Sequence, residues 1–204
     1  MQDHGRNSAA EGSPRPSDLI AMHRAAVLRL LRAHEPRAAD PHEAAMTAEI
    51  IRFVEEHADC LVRTCAPGHL TGSAWIVDAP RRRVLLTHHR KLDKWLQPGG
   101  HADGDPDLPA VAMREAREET GLTRLRAVST EVFDVDRHWI PARGDAPGHW
   151  HLDLRFLLEA DPAEALIVSD ESHDLQWVGL ERVAALNPEE SMLRMVRKTP
   201  LAAE

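Results

Sequence analysis

The sequence predicts a mixed α and β fold: an α+β or mixed-sheet α/β/α sandwich, preceded by a helical N-terminal extension. Three observations carry this expectation. Short apolar or alternating runs between Leu70 and Val178 are bounded by turn clusters and read as strands. Several other segments keep a helical period with capping residues at their ends. The two kinds of segment do not alternate as regular βα units, which points away from an all-parallel sheet. With 204 residues the chain suffices for one domain and a small appendage, and it needs no disulfide staple.

Residues 1–17 hold Gly, Ser, Pro, Asn and charge with little to bury, and a disordered tail is expected there. Asp18 is placed to cap a first helix, in which Leu19, Met22, Ala26, Leu30 and Ala33 keep the period until Glu35-Pro36 stops it. Asp40 caps a second, with Pro41 at its first position and Glu43 completing a capping box. Met46, Ile50, Phe53 and Val54 form its apolar stripe, which ends near His57. Residues 18–66 therefore read as a helical extension and 67–204 as the main domain. A DNA-reading helix pair is disfavoured by Glu43, Glu49, Glu55, Glu56 and Asp59.

Within the main domain, Ser73–Val77 and Arg83–Thr87 flank Asp78-Ala79-Pro80-Arg81 as a hairpin, with Arg81-Arg82-Arg83 as its solvated edge. Trp95-Leu96 leads into Pro98-Gly99-Gly100, a breaker cluster read as a turn. A helix is expected from about Asp107 to Thr120, closed by Gly121 as a left-handed cap. Val128–Asp134 and Leu152–Leu158 read as strands; in the second, Leu152, Leu154 and Phe156 face opposite to Asp153 and Arg155. Gln176–Val178 is a last short strand, and Leu180–Leu186 and Glu189–Lys198 are terminal helices.

Composition excludes several classes. Lys and Arg number 25 against 33 Asp and Glu, a net charge of −8, which disfavours generic binding to nucleic acid or anionic lipid. A polyanionic substrate would need a cation between it and the protein. Cys60 and Cys65 form no CxxC pair and are too few for a disulfide scaffold. No apolar run approaches the roughly 20 residues of a membrane span. The N-terminal segment has no apolar h-region, so a cytoplasmic location is expected. A homodimer is left open.

The chemistry concentrates in Gly99-Gly100-His101-Ala102-Asp103-Gly104-Asp105 and Arg114-Glu115-Ala116-Arg117-Glu118-Glu119-Thr120-Gly121-Leu122. On a helix at 100° per residue from Leu108, Ala112, Ala116 and Met113 form an apolar arc. Glu118, Glu115 and Glu119 then share an arc of roughly 100° beside it. Three carboxylates so close repel each other and need protons, cationic neighbours or a metal. Their hard oxygens suit Mg²⁺ or Mn²⁺, which keep waters and accept phosphate oxygens. The chemistry this implies is attack on a phosphoanhydride. Taken alone, Glu-rich helix faces with Arg four residues away are more often solvated ion-pair ladders. The Gly-Gly pair upstream and the Glu-Glu-Thr-Gly-Leu ending make the joint pattern specific.

This pattern resembles the Nudix hydrolase motif: Gly, five residues, Glu, seven residues, then Arg-Glu-U-x-Glu-Glu-x-Gly-U, where U is a bulky aliphatic residue. Arg114 to Leu122 match its second half, with the small Ala116 at the first U position, and Gly100 matches the first glycine. Where the motif has its first Glu this chain has Pro106, and Asp105 stands one position early. The resemblance implies a Nudix-type α/β/α sandwich with a mixed sheet. It also implies Mg²⁺-dependent (or Mn²⁺-dependent) hydrolysis of a nucleoside diphosphate linked to another group. Glu115, Glu118 and Glu119 become metal ligands, with the Gly100 carbonyl as a further one. Arg114, Asp105 and Gly121 become structural residues of the motif. A further acid from a distal loop is expected in Ser169-Asp170-Glu171-Ser172-His173-Asp174, with Glu171 as ligand or base ahead of Asp174.

Other candidates are less specific. His88, His89, Arg90, Lys91 and Lys94 precede the Gly-Gly pair and, with His101, are placed to meet substrate phosphates. His149 and His151 flank Trp150 and, with Asp153, offer a transition-metal or base-recognition cluster, or an ordinary alternating strand. Trp95, Trp139 and Trp150 are candidates to stack a nucleobase or to fill a core. Two alternatives stand beside the hydrolase: a non-catalytic Nudix-like nucleotide sensor, and an isopentenyl diphosphate isomerase. The isomerase needs a cysteine between the first strands and the motif, and none follows Cys65.

Overall fold

The computed structural model of the chain describes residues 15–144 and 147–200, so nearly all of the expected tail lies outside it. α1 (Pro16–His34) starts two residues before the expected Asp18 cap, with Pro16 in its first turn. Proline has its φ already fixed for a helix and carries no N–H to leave unpaired. Asp18 instead lies inside the first turn, paired with Arg15 at 2.9 Å. A 3-10 turn (Glu35–Arg37) then leads to α2 (Pro41–Glu56), where the Glu43 N–H donates to the Asp40 cap at 2.9 Å. The Glu43 carboxylate does not return to Asp40 to close a capping box. It is fully buried, accepts from the Ala39 N–H at 2.6 Å, lies 2.9 Å from His34 Nε2 and pairs with Lys198.

Eight strands follow: β1 (Gly68–Val77), β2 (Arg83–His89), β3 (Lys94–Leu96), β4 (Gly99–His101), β5 (Arg126–Ala127), β6 (Asp134–Ile140), β7 (His149–Glu159) and β8 (Ser172–Gly179). α3 (Leu108–Thr120) separates β4 from β5, and α4 (Val183–Leu186) and α5 (Glu190–Lys198) close the described chain. β1 is the centre of a mixed sheet. It runs parallel to β7 from Gly68↔Trp150 to Val77↔Glu159. Its other edge is shared antiparallel by β4 at one end and β2 at the other. β3 and β8 extend from β2, and β5 and β6 from β7.

Both faces are covered, as the α/β/α expectation requires. Leu70, Ala74 and Ile76 of β1 and Leu154, Phe156 and Leu158 of β7 share one apolar core with α3 and with Val27, Leu31, Ile50 and Val54 of α1 and α2. Trp75, Val77, Val84, Leu86 and Leu157 point the other way, against Val183, Met192 and Met195 of α4 and α5. No described helix is long and apolar enough to cross a membrane.

Four sequence expectations are corrected by sheet pairing. β1 begins at Gly68 rather than Ser73, because its unbroken pairing with β7 holds Gly68 to Gly72 extended even though the segment is not an apolar run. Gly99 and Gly100 are not a turn but strand residues, paired with Ser73 and Gly72. The strand expected over Val128–Asp134 starts where it was expected to end, at Asp134; before it, Arg126–Ala127 pairs with β7 as a short strand, and within the expected span the Val128 and Phe133 N–H groups donate singly to Leu157 and Arg155 of β7. β8 is longer than Gln176–Val178 and takes in Ser172, His173 and Asp174, so half of the expected acidic loop is strand paired with β2.

Candidate active site

The site is built where α3 lies against β4. α3 is capped by Asp107, whose carboxylate accepts from the Ala110 N–H at 3.1 Å, and it ends at Gly121 with φ 73°. A side chain at Gly121 would be strained there and would collide with Ile167, 2.6 Å from its Cβ position. Leu108, Val111, Ala112 and Ala116 are buried, which sets the helix rotation and brings the carboxylates of Glu115 and Glu119 onto β4. Glycine is needed at both contacts. A Cβ at Gly100 would sit 2.3 Å from Glu115 Oε2, and one at Gly99 would sit 2.1 Å from Ser73 Oγ. The Gly-Gly pair thus lets the strand approach the helix and its neighbour strand closely rather than letting the chain reverse.

The three carboxylates differ. Glu119 is buried (7% exposed), and its Oε1 accepts from the Gly99 N–H at 2.7 Å. Burial, outweighing that hydrogen bond and reinforced by Glu115, Glu171 and Glu118, pushes its carboxyl up to about 7. Glu115 is half-buried and also raised, by burial first and then by Glu118 and Glu171, against the Arg114 guanidinium 2.9 Å away. Glu118 is exposed on the rim. Among the described residues, no Lys or Arg ion pair reaches Glu118 or Glu119.

Arg114 ties the helix to the glycine strand. Its Nη2 donates to the His101 carbonyl at 3.2 Å, and its Nη1 lies 4.0 Å from Asp105. Asp105 accepts from the Asp107 N–H at 2.9 Å, so it does face both the helix start and Arg114. Glu171 lies on the exposed turn before β8, where its carbonyl accepts from the Arg90 N–H at 2.8 Å. Its charge acts on Glu115 and Glu119 together. Asp174 lies in β8 opposite His88, and its carboxylate accepts from the Leu175 N–H at 2.8 Å.

Three of the residues expected to meet substrate phosphates, Arg90, Lys94 and His101, have partners within the chain. Arg90 donates to the Ser172 carbonyl at 2.9 Å and so braces the Glu171 turn. Lys94 pairs with Glu189 at the start of α5. The His101 ring joins His151, 3.3 Å away between Nε2 atoms, in a group of imidazoles with His69 and His149. Burial first, and for His101 and His69 neighbouring positive or imidazole groups next, hold His69 and His101 down to about 4, and His151 falls to about 2. Trp95 stacks on His88 at 5.0 Å, whereas Trp139 and Trp150 meet edge-to-face at 5.2 Å.

Two residues near the site were not singled out from the sequence. Arg63 forks onto Asp103 at 2.6 and 2.7 Å, and it lies close enough to feel Glu115 and Glu171. Nothing in its local sequence marks it. His69 becomes a partner of His151 only because β1 begins at Gly68. A cleft of about 540 Å³ lies apart from the carboxylates, lined by Arg29, Leu30, Arg37, Pro109 and Glu131 among others.

The oxygen-rich donor set fits a hard divalent cation. Glu119 is a buried carboxylate with one N–H partner, and Glu115 lies flush against the Gly100 backbone. Glu115, Glu118, Glu119 and the Gly100 carbonyl are the residues that would hold one.

Comparison with known proteins finds relatives of the chain in sequence and in fold. A family model described as NUDIX domain matches residues 69–198. The m7GpppN-mRNA hydrolase NUDT17 of Xenopus laevis is 32% identical over 98 residues, covering 44% of this chain. The match spans only 32% of that relative's own length. A C. elegans Ap4A hydrolase binary complex superposes with a TM-score of 0.51 at 20% identity, over 63% of this chain and 93% of that one. The E. coli dihydroneopterin triphosphate pyrophosphohydrolase gives 0.51 at 18% identity, over 63% and 92%. These two likenesses speak for the fold alone.

Proposed function

The chain belongs to the NUDIX domain family, whose hydrolases generally use divalent metal ions, and from that premise we propose that it hydrolyses the phosphoanhydride of a nucleoside diphosphate linked to another group, with Mg²⁺ or Mn²⁺. The observation that supports this reading is the gathering of Glu115, Glu118, Glu119 and Glu171 at one corner with too few cations to balance them. When bound there, a divalent cation would neutralise phosphate charge and polarise the phosphoryl oxygen under attack.

The chain's own residues supply the rest. The Gly99 N–H orients Glu119, and Arg114 holds Glu115 against the His101 carbonyl, so both carboxylates face the same strand. Glu118 and Glu171 are exposed to solvent. Water adds to one phosphorus and the bridging P–O bond breaks, releasing a phosphate monoester. The proton lost by the water is assigned to Glu171, held on its turn by the Arg90 contacts. Asp105 serves with Arg114 in place of the motif's first glutamate.

The test is turnover with Mg²⁺ and with Mn²⁺ on ADP-ribose, dinucleoside polyphosphates, nucleoside triphosphates, sugar nucleotides, coenzyme A, triphosphorylated RNA and m7GpppN-capped RNA. Glu118→Gln and Glu119→Gln are expected to lower kcat by about 100-fold or more on whichever compound is cleaved. Unchanged turnover in both variants would remove the carboxylate corner from the reaction. Ligand-induced stabilisation without turnover of any compound would favour the non-catalytic sensor instead.

A further inference from the structure

Outside the carboxylate corner, histidines from four strands meet on one face of the sheet, with His138 of β6 paired to His151 and its ring centroid 5.2 Å away. His69 of β1 and His151 of β7 are direct register partners, and His149 lies two residues before His151 on the same face. One ring nitrogen from each of His69, His149 and His151 can be chosen so that all three lie within 4.8 Å of one another. His101 of β4 adds a fourth imidazole, with its Nε2 3.3 Å from that of His151.

Hydrogen bonding leaves this group unsatisfied. His69 is only 3% exposed, and neither of its ring nitrogens has a hydrogen-bond partner among the described residues. Its ring centroid lies 4.9 Å from that of His101, 4.9 Å from that of His149 and 4.8 Å from that of His151, so three imidazoles crowd around it. His149 Nδ1 lies 2.9 Å from the Pro147 carbonyl oxygen, so the proton belongs on Nδ1 and the Nε2 lone pair is left free. That Nε2 lies 3.3 Å from His151 Nε2, which is also 3.3 Å from His101 Nε2. His151 Nε2 carries either one proton or one lone pair. If it donates to His149, His101 is left without a partner; if it accepts from His101, two lone pairs face each other at His149. No arrangement of neutral imidazoles satisfies both contacts.

A metal ion resolves what a proton cannot, because every ligand nitrogen then contributes a lone pair. Zinc–nitrogen distances of about 2.0–2.1 Å in a tetrahedral site place neighbouring nitrogens roughly 3.3–3.4 Å apart. The two contacts around His151 already have that spacing. The Pro147 carbonyl supplies the outer-shell bond that fixes a ligating histidine's tautomer. An all-imidazole set selects a borderline transition ion over the hard Mg²⁺ of the carboxylate corner. We propose that His69, His149 and His151 bind a Zn²⁺-class transition-metal ion, with the fourth position open to His101, as a site separate from the acidic helix edge. Such an ion would tie β1 to β7, and through His101 to the strand that carries Gly100.

The test uses tag-free full-length protein dialysed against Zn²⁺, with bound metal counted by elemental analysis and Co²⁺ used as a spectroscopic substitute. Wild type is expected to retain stoichiometric zinc, to melt at a higher temperature with zinc than without, and to show intense visible bands of tetrahedral Co²⁺. His149→Ala is expected to weaken zinc binding by more than the roughly 10–100-fold that loss of an outer-shell partner costs. This position is half-exposed near a strand end, so the variant should fold; circular dichroism checks that, and His69→Gln provides the second ligand deletion. Glu119→Gln should keep its zinc. Wild type that retains no zinc, or a folded His149→Ala that retains as much as wild type, would overturn the proposal. Zinc lost by Glu119→Gln would overturn it too, by placing the ion in the carboxylate corner.

Discussion

Two regions of this molecule bury carboxylates, and they treat them in opposite ways. Beneath α5, Asp134 is wholly buried yet receives Arg194 at 2.8 and 2.9 Å, Arg155 at 3.1 Å and Lys198 at 3.2 Å. Arg155 also reaches Asp136 at 3.0 Å and Asp153 at 2.9 Å, and Asp153 accepts from Thr71 and Ser73. Burial alone would lower the Arg155 guanidinium, but Asp136, Asp153 and Asp134 hold it above its ordinary range. At the α3–β4 corner, Glu119 has one N–H and three other carboxylates for neighbours, and its carboxyl rises. The first region spends its charge internally and fixes α5 to the sheet. The second keeps charge in reserve for something that arrives from outside.

The largest effect should come from breaking the balanced region. Asp134→Asn leaves Arg155 and Arg194 buried with a weakened partner, and removing one member of a buried pair costs about 3–5 kcal/mol. Urea denaturation at neutral pH should therefore show a much lower midpoint with an unchanged slope. A variant as stable as wild type would mean the network contributes little and that the contrast with the α3 corner is not one of electrostatic balance.

The unbalanced corner should respond with the opposite sign. The Glu119 carboxyl is raised from 4.5 to about 7, so between those values the folded state binds more protons than the unfolded state. Stability is then fully present below about 4.5 and declines as pH rises through about 7. The difference corresponds to a cost on the order of 3 kcal/mol at pH 8 in chelator-treated protein. Glu119→Gln should be more stable than wild type by up to that amount at pH 8, and nearly equal to it at pH 4.5. Mg²⁺ should restore wild type at pH 8 and do less for the variant. Thermal melts across pH, with and without Mg²⁺, check this, and a stability difference independent of pH would contradict it.

What separates the two regions also decides how much of each was legible in the sequence. Three of the corner's four carboxylates could be read because they are local: Glu115, Glu118 and Glu119 fall within one helix, and helical periodicity brings them together, whereas Glu171 was expected only through the family resemblance. The capping residues Asp40 and Gly121 were readable for the same reason, being one-turn features. The buried network could not be read. Asp134, Arg155 and Arg194 come from β6, β7 and α5, and no spacing rule links them. The imidazole group was half visible, as His149 and His151 on one alternating strand. His69 joined it only through a parallel pairing between β1 and β7. Gly99 and Gly100 misled in an instructive way. Glycine marks either a turn or a close approach of backbones, and the neighbour that decides here, Ser73, lies on another strand.

The smallest effect should come from charge that neither region claims. Lys94 of β3 pairs with Glu189 just before α5, and both side chains are about half exposed, at 52% and 46%. In that setting solvent screens the attraction, and ordering two flexible side chains offsets most of it, so such a pair is worth about 0–1 kcal/mol. Lys94→Ala should therefore shift the denaturation midpoint barely at all, far less than Asp134→Asn or Glu119→Gln. The same variant also asks where this ammonium belongs during turnover. Held by Glu189, it should leave kcat and KM unchanged. A rise in KM at constant kcat would instead mean that it leaves Glu189 to meet substrate phosphate, and that the carboxylate corner draws on a cation of this chain as well as on a metal ion.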